Sequence, residues 1–382
     1  MHHLDPIYLD HNATTPLLPE VVDAMLPFLR EHFGNPSSSH VFGQRAKQAV
    51  GRARQQVAAL LGCHPDEVLF TSGGTEANNL AIRGVAQAVE GRRGIVTTVI
   101  EHPATARPCG WLEARGHRVT RLGVDADGCV RLDEARRAIG SDTALVTVMH
   151  SNNETGVLQP IRQLAELARQ AGALLHTDAA QSLGKVRVDV GELDVDLLSV
   201  AGHKLYAPKG VGALYVRRGT PLQPLVLGAG HERGLRPGTE NVASIVGLGA
   251  ACEAVGRDLD LASERMRVLR DELWSQLAAG VPGLKLNGHP ALRLPNTLNV
   301  RFPTVSGEAI LAGAAEVAAS TGSACHEGHE QASAVILAMG VDPVDALGSV
   351  RLTLGRSTTR EEVARAAHAL VEAVLAAKSC VD

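Results

Sequence analysis

The stretch "ALVTVMHSNNETGVLQPIRQLAELARQAGALLHTD", residues 144–178, holds two apolar runs on either side of an amphipathic segment. The runs at 144–150 and 172–178 are short and nearly continuously apolar, as strands buried on both faces of a sheet are. Between them, residues 161–172 repeat their apolar side chains with the period of a helix. Strands that are connected through a helix lie parallel in one sheet, so this stretch predicts an α/β fold.

The same alternation continues on both sides of this stretch. Other candidate strands are short apolar runs, at residues 67–70, 94–100, 195–200 and 212–216, and a second helical pattern covers residues 75–90. We therefore expect a mostly parallel sheet with flanking helices. Beyond about residue 260, a helical stretch and the runs "LPNTLNVRFP" and "SVRLTL" predict a second, smaller α+β domain. Thr359 and Glu362 have the spacing of a capping box at the start of the last helix.

Composition narrows the classes of partner. The 382 residues carry a net charge of -4 with acidic and basic residues interspersed, so the chain has no basic stripe for nucleic acid and no cationic face for a membrane. The first ten residues, "MHHLDPIYLD", contain no apolar targeting core, and no run of 18 apolar residues follows. We expect a cytoplasmic protein that acts on small molecules or proteins. The six cysteines show no pairing pattern, which favours reduced thiols, at positions 63, 109, 129, 252, 325 and 380.

The stretch "ASTGSACHEGHEQAS", residues 319–333, places Cys325 after small residues and before two histidines, His326 and His329. No hydrophobic periodicity continues past Cys325 to bury its sulfur, which favours an accessible, reactive thiol. A polar loop without chemistry is one alternative. A metal site is another, although no second cysteine lies at the usual spacing for a zinc knuckle.

Polar residues follow several of the predicted strands, where ligands bind in open α/β sheets. In "TSGGTEANN", a Gly-Gly pair opens a helix whose N–H groups could hold a phosphate, although the pair could equally be a simple turn. The spacing matches neither the P-loop nor the dinucleotide fingerprint. Asn153, Asp178 and Gln181 fall at the same sheet edge. An aspartate there could cap a helix, face solvent or pair with a protonated ring nitrogen such as that of pyridoxal phosphate.

Three further side chains are candidates for chemistry. Lys204 directly follows an apolar strand, where desolvation lowers the pKa of an amine and favours attack on a carbonyl, whereas most lysines lie on the surface. His102 ends a strand and is either structural or stacked on a planar cofactor. Arg351 alternates with apolar residues in "SVRLTL", so its planar fork could hold a substrate carboxylate or form a surface salt bridge.

Taken together, the motifs resemble the cysteine desulfurases of the NifS/IscS group. The similarity runs in order through nearly the whole chain, in "YLDHNATTP", "GNPSSSH", "FTSGGTEANN", "EHPA", "SNNETGVLQPI", "HTDAAQSLGK", "GHKLYAPKGVGALYV", "HERGLRPGTEN", "GSAC" and "RLTLGRSTT". It implies an α/β, pyridoxal-phosphate-dependent transferase of the aspartate aminotransferase-like fold type I, in the class V aminotransferase group. It also implies an N-terminal arm, 1–15, packed with the small domain, a large cofactor-binding domain, 16–260, and a small domain, 261–382, that carries the Cys325 loop.

The resemblance assigns a role at each matching position. Around pyridoxal 5'-phosphate, it places Lys204 as the Schiff-base lysine, Asp178 on the pyridinium nitrogen, Gln181 on the phenolic oxygen, His102 stacked on the ring, and Gly74, Thr75 and His203 on the phosphate. It implies no metal.

For the substrate, the resemblance places Asn153 near the ring and Arg351, with Asn35, on the carboxylate of L-cysteine. Thr239 would reach the phosphate in the other subunit of a homodimer with shared active sites. Cys325 would be the nucleophile that becomes a persulfide as L-cysteine is converted to L-alanine. The sulfur would then pass to an acceptor protein, such as a scaffold for iron–sulfur cluster assembly or a thiolation relay.

Two departures from the family pattern are visible. Ala201 stands where relatives carry a Ser or Thr that contacts the phosphate, and "HEGHEQAS" replaces a loop often rich in Thr and Ser. A selenocysteine lyase and a class V aminotransferase are enzymatic alternatives on the same scaffold, although an aminotransferase leaves "GSAC" unexplained. A sulfur-carrier or scaffold protein without catalysis is an alternative of another class.

Overall fold

The computed structural model of the chain describes residues 6–322 and 331–379. The strands in these ranges are β1 Ile7–Tyr8, β2 Val68–Thr71, β3 Gly94–Thr98, β4 Arg118–Leu122, β5 Thr143–Thr147, β6 Leu174–Asp178, β7 Leu197–Ala201, β8 Gly212–Val216, β9 Lys285–Leu286, β10 Thr297–Arg301, β11 Val317–Ala318 and β12 Ser349–Thr353. The α-helices are α1 Pro19–Arg30, α2 Val41–Leu61, α3 Gly74–Ala88, α4 Pro103–Glu113, α5 Leu132–Ala138, α6 Ile161–Gln170, α7 Val190–Leu193, α8 Val242–Arg257, α9 Leu259–Gly280, α10 Gly307–Gly313, α11 Ala334–Ala338, α12 Pro343–Leu347 and α13 Arg360–Ser379.

A seven-stranded sheet with the order β2-β8-β7-β6-β5-β3-β4 forms the centre of the large domain. Strand β8 is antiparallel to β2 and β7, while the other neighbouring pairs are parallel. Two neighbouring parallel strands need a connection of a dozen or more residues. The segment between β7 and β8 is shorter, so β8 runs in the opposite direction to β7. The predicted mostly parallel sheet is confirmed.

The predicted strands match the sheet except at one edge. Strands β5 and β6 lie at the two apolar runs of the stretch 144–178, and β8 coincides with the predicted run 212–216. Strand β4 was missed because four of its five residues are exposed or half-buried. An edge strand with polar residues has no apolar run to mark it.

The helices cover the sheet with the faces that the sequence pattern predicts. In α6, the buried side chains are Ile161, Leu164, Ala165 and Ala168, the spacing of one helix face. The capping box before α13 is confirmed, since the Thr359 N–H donates to Glu362 Oε2 at 2.7 Å and the Glu362 N–H donates to Thr359 Oγ1 at 3.2 Å.

A second hydrophobic core belongs to the smaller domain. It packs α9 and α13 against the antiparallel sheet β12-β10-β9, with Leu273, Val300 and Leu370 fully buried. Strand β1 pairs in parallel with β11, and Ile7 and Leu9 enter the same core. The N-terminal segment therefore runs from the small domain toward the large one.

No helix within 6–322 or 331–379 is long and apolar enough to cross a membrane.

Candidate cofactor and substrate site

A cavity of about 370 Å³ lies at the carboxyl ends of β6 and β7, beside the start of α3. Nine of the predicted site residues line it, namely Gly74, Thr75, His102, Asn153, Asp178, Gln181, His203, Lys204 and Arg351. Arg351 comes from β12 of the small domain, and Asn12 and Ala13 come from the N-terminal segment. The cavity is thus built by both domains and by the segment between them.

The start of α3 provides a place for an anion. Its N-cap residue, Gly73, has φ +151° and offers no side chain, so the first helical N–H groups remain available to a ligand. A Cβ added to Gly74 would lie 3.1 Å from the Cβ of Ala201 at the end of β7. Small residues at both positions leave room for a phosphate against the positive end of the helix dipole. The side chain of residue 201 therefore faces the start of α3.

Asp178 is buried and is held by two donors. Its Oδ2 accepts from Asn78 Nδ2 at 2.6 Å, and its Oδ1 accepts from the Ala180 N–H at 2.9 Å. These two hydrogen bonds fix the direction of the carboxylate. A carboxylate in this setting suits a protonated ring nitrogen. Sequence reasoning missed Asn78, a fully buried amide on α3 whose Oδ1 has no partner in the described ranges.

Lys204 lies in the short turn after β7, and its Nζ donates to the main-chain oxygens of Asn12 at 2.5 Å and Ala13 at 2.8 Å. Burial lowers the pKa of Lys204 to about 8, and the positive charge of Arg351 adds to this effect. Asp10 and Asp178 act in the opposite direction. About a tenth of the amine is therefore uncharged at pH 7, far more than for an ordinary lysine, in the direction that its position after a buried strand predicted.

Two histidines flank this lysine. His102 is the N-cap of α4, and its Nδ1 accepts from the Ala104 N–H at 3.1 Å, so the neutral ring carries its proton on Nε2. Burial lowers the pKa of His102, an effect that the charge of Asp178 partly offsets. Burial likewise lowers the pKa of His203 to about 4. Both rings are neutral at pH 7, which suits stacking and hydrogen bonding rather than charge pairing.

Arg351 is the buried cation of the cavity, with 6% of its surface exposed. Its Nη2 pairs with Asp10 Oδ1 at 2.8 Å, and its Nη1 donates to the main-chain oxygen of Asn153 at 3.0 Å. The Nε of Arg351 has no hydrogen-bond partner in the described part of the chain. A guanidinium fixed in this way can receive a ligand carboxylate.

Some predicted residues do not reach the cavity of this chain. Asn35 is exposed, and its side chain accepts from the Ser37 N–H at 2.9 Å. Thr239 is exposed too, as is compatible with its expected contact to another subunit. Cys325, together with its neighbours His326 and His329, lies outside the described residues. The roles of these residues stay predictions.

Sequence reasoning also missed a buried polar network behind the cavity. Its centre is Asn12, whose Oδ1 accepts from Lys185 Nζ at 3.0 Å and from Asn296 Nδ2 at 3.1 Å. Both Asn12 and Lys185 stand in the quoted motifs "YLDHNATTP" and "HTDAAQSLGK". The polar residues inside these motifs were the sequence signal from which the network could have been predicted.

Comparisons with known proteins identify the family and the fold. The Aminotransferase class-V family model matches residues 7–366. A cysteine desulfurase of Trichormus azollae is 45% identical over 370 residues, which are 96% of this chain and 92% of the relative. A solved structure named NifS-like protein superposes with a TM-score of 0.90 at 37% identity and covers 96% of this chain and 98% of its own. Another, described as SspA in complex with cysteine, has a TM-score of 0.80 at 34% identity, covering 92% and 99%.

Proposed function

Since this chain belongs to the aminotransferase class-V family, we propose that it is a cysteine desulfurase that uses pyridoxal 5'-phosphate to convert L-cysteine to L-alanine. The main support for this proposal is the environment of Lys204. Its desolvated amine shares one cavity with the carboxylate of Asp178, the neutral ring of His102 and the open start of α3. These groups are the ones that a phosphorylated pyridine aldehyde requires.

The residues present fit this cofactor. Lys204 would hold it covalently, and Gly74, Thr75 and His203 would hold its phosphate at the start of α3. Asp178 would pair with the ring nitrogen, and Gln181 would donate to the phenolic oxygen. When bound, pyridoxal phosphate withdraws electrons from the Cα of an amino acid and so makes the Cα proton acidic.

The chain itself supplies binding and proton transfer. Arg351 would bind the substrate carboxylate, because its guanidinium is fixed at the cavity wall by Asp10 and Asn153. Lys204, with a pKa of about 8, can take a proton from the substrate Cα and return it near neutral pH. Asp178 would keep a proton on the ring nitrogen.

Sulfur transfer is assigned to Cys325. The thiolate takes the substrate sulfur and becomes a persulfide, while the substrate carbon receives a proton and leaves as L-alanine. The persulfide sulfur then passes to a thiol of an acceptor protein, for which an iron–sulfur scaffold and a thiolation relay are both candidates. A cytoplasmic location stays a prediction, and the four described cysteines are free thiols, as a reducing compartment favours.

The variant Cys325→Ala tests this assignment. We expect it to bind cofactor and L-cysteine normally, while alanine formation and sulfide release in the presence of a thiol reductant fall to background, because the acceptor of the sulfur is missing. The matched control is Cys129→Ala, which removes a half-buried thiol and should leave both products unchanged. Normal sulfide release from Cys325→Ala would contradict the role of Cys325 and favour a selenocysteine-lyase type of elimination, and the relative turnover of selenocysteine and cysteine would then decide.

The variant Lys204→Ala separates an enzyme from a scaffold without catalysis. Borohydride treatment should fix the cofactor to Lys204 in the unchanged protein and fix none in the variant, as peptide mass mapping would show. Fixation at another lysine would contradict the assignment. A protein that takes up no cofactor at all would support the scaffold alternative.

A homodimer is proposed from an exposed apolar patch. Leu29, Phe33, Val41 and Phe42 are exposed, and the rings of Phe33 and Phe42 stack with centroids 5.6 Å apart. Phe33 is 80% exposed, which is unusual for a large apolar side chain in a monomer. Sedimentation should give a dimer, and Phe33→Asp should weaken both dimerisation and cofactor binding, because Thr239 would no longer reach the second site. A monomeric unchanged protein with full cofactor affinity would contradict this arrangement.

A further inference from the structure

The amine of Lys185 is buried, and the proposed desulfurase mechanism does not involve it. Only 3% of its surface is exposed. Its Nζ lies 3.0 Å from Asn12 Oδ1 and 3.0 Å from Gln181 Oε1. Both partners are neutral amide oxygens, so they accept hydrogen bonds from Lys185 but supply no negative charge to balance a protonated amine.

The surroundings favour the uncharged form of Lys185. Burial lowers its pKa well below the usual value, and the positive charges of Lys204 and Arg351 act in the same direction. His11 and His203, which also face it, are themselves neutral because burial lowers the pKa of each to about 4. A neutral amine has two N–H donors, which match the two amide oxygens, whereas an ammonium group would leave a third donor buried.

These contacts fix how the amide of Gln181 is turned. Its Oε1 accepts from Lys185, so its Nε2 lies at the opposite end, where it donates to the main-chain oxygen of Asn12 at 3.0 Å. One N–H of Nε2 is used in this way, and the other is left for a ligand in the cavity that Gln181 lines. A flipped amide would place two donors against Lys185 and an acceptor against the oxygen of Asn12.

The same oxygen of Asn12 accepts from Lys204 Nζ at 2.5 Å. A continuous chain of hydrogen bonds therefore joins the amine of Lys185, the amide of Gln181, the carbonyl of Asn12 and the amine of Lys204. The chain connects Lys185, which is outside the cavity, to three residues that line it.

We propose that Lys185 is a positioning residue that holds the Gln181 amide with its N–H group toward the phenolic oxygen of the cofactor. The proposal rests on the proposed function, because that oxygen belongs to pyridoxal phosphate. A hydrogen bond from Gln181 stabilises the ionised oxygen, so it lowers the pH at which the visible absorbance of the bound cofactor changes.

The variant Lys185→Met tests the proposal, because methionine fills similar space and donates nothing. We expect the pH midpoint of the cofactor absorbance to rise by about one unit and the cofactor dissociation constant to rise about tenfold, the effect of one hydrogen bond to a charged group. Lys285→Met is the matched control, since Lys285 is exposed on β9, and it should change neither quantity. Lys185→Gln restores a neutral donor and should recover part of the midpoint shift.

A double-mutant cycle separates positioning from a general effect on the fold. Gln181→Ala should raise the midpoint as Lys185→Met does, and adding Lys185→Met to Gln181→Ala should produce no further shift. An unchanged midpoint in Lys185→Met, or shifts that simply add, would overturn the proposal. If Lys185→Met does not fold, Lys185→Leu, which also donates nothing, takes its place in the cycle under the same criteria. Failure of the unchanged protein to bind cofactor would instead contradict the proposed function.

Discussion

Ala201 is the clearest departure from the family pattern that the sequence motifs resemble. Because its Cβ faces the start of α3, Ala201→Ser places a hydroxyl where a bound phosphate would lie. Such a hydrogen bond contributes about 1.5–3 kcal/mol when the partner is charged, although an ordered water in the unchanged protein offsets part of it. We expect the variant to bind pyridoxal phosphate more tightly by less than tenfold, with sulfur transfer unchanged at saturating cofactor. Titration of the apo-protein measures this, and equal or weaker affinity would contradict the geometry.

Asp10 controls the charge around Lys204. It pairs with Arg351 and raises the pKa of Lys204, against the effect of burial. Asp10→Asn keeps the shape but removes this charge, so the pKa of Lys204 should fall below about 8 and more free amine should be present at pH 7. We expect the variant to capture pyridoxal phosphate faster at pH 7, while the two rates converge above pH 9. Stopped-flow mixing of cofactor with apo-protein measures the rates, and slower capture at pH 7 would contradict the prediction.

The sequence predicts the site residues that lie at the end of a strand. Lys204 and Asp178 follow apolar runs, and the carboxyl ends of such strands meet at one edge, so their convergence needed no structure. Lys185 and Asn12 gave no such signal, because they meet from positions 173 residues apart in the chain. A buried polar residue shows no periodicity, and its partners become known only when the fold brings distant segments together.

The loop between β5 and α6 carries Glu154, which contacts the chain on both sides of residues 323–330. Its Oε2 accepts from Ser333 Oγ at 2.5 Å, and a Cβ on Gly322 would lie 2.8 Å from the same oxygen. Burial raises the pKa of Glu154 to about 7, although Ser333 and Arg351 oppose this. The loop thus places a carboxyl group with a raised pKa against Gly322 and Ser333.

Replacement of that carboxyl should change the pH dependence of stability. Because the folded pKa lies above the ordinary value of 4.5, the glutamate destabilises the fold as pH rises from about 4.5 to about 7. Glu154→Gln still accepts from Ser333 without a charge. We expect the two apo-proteins to melt at the same temperature at pH 4.5, and the variant to melt a few degrees higher at pH 8. The difference in the free energy of unfolding at pH 8 should be at most roughly 3 kcal/mol. Glu90→Gln, at an exposed position, is the control, and a difference that does not vary with pH would contradict the prediction.

Secondary structure elements were predictable where burial is uniform. Strands β5 to β8 are apolar runs, and α6 and α13 have a clear helical face or a capping box. The sequence did not reveal β4, because a polar edge strand resembles a loop. The sheet order was not predicted either, since the pairing of β2 with β8 joins segments that are far apart in the chain.

The two domains and the N-terminal segment meet at the side chain of Asn12. Its Nδ2 donates to Thr297 Oγ1 at 3.0 Å in the small domain, and its Oδ1 accepts from Lys185 in the large one. Asn12→Ala removes the acceptor of one buried N–H on Lys185 and one on Asn296 and should cost about 2–6 kcal/mol in total, at roughly 1–3 kcal/mol for each. We expect the variant to unfold its two domains separately, whereas the unchanged protein unfolds them together.

The two tryptophans allow this to be measured. Trp111 packs in the large domain and Trp274 packs against the small-domain core. In single-tryptophan proteins made with Trp111→Phe or Trp274→Phe, fluorescence should give one common denaturation midpoint, and addition of Asn12→Ala should separate the two midpoints. Thr304→Ala, at an exposed side chain of the small domain, serves as the control. Coincident midpoints in the Asn12→Ala proteins would contradict the prediction.

The pairing of β1 with β11 has a consequence for protein synthesis. Ile7 leaves the ribosome long before its strand partner Val317 is translated, because about 300 residues separate the two strands. The large domain can fold while translation continues, since domains fold as units during synthesis, but the segment with Asn12 and Ala13 reaches its place only once the small domain is made. Lys204 therefore gains its two carbonyl partners late, and the nascent chain acquires a complete active site only after β11 has been made.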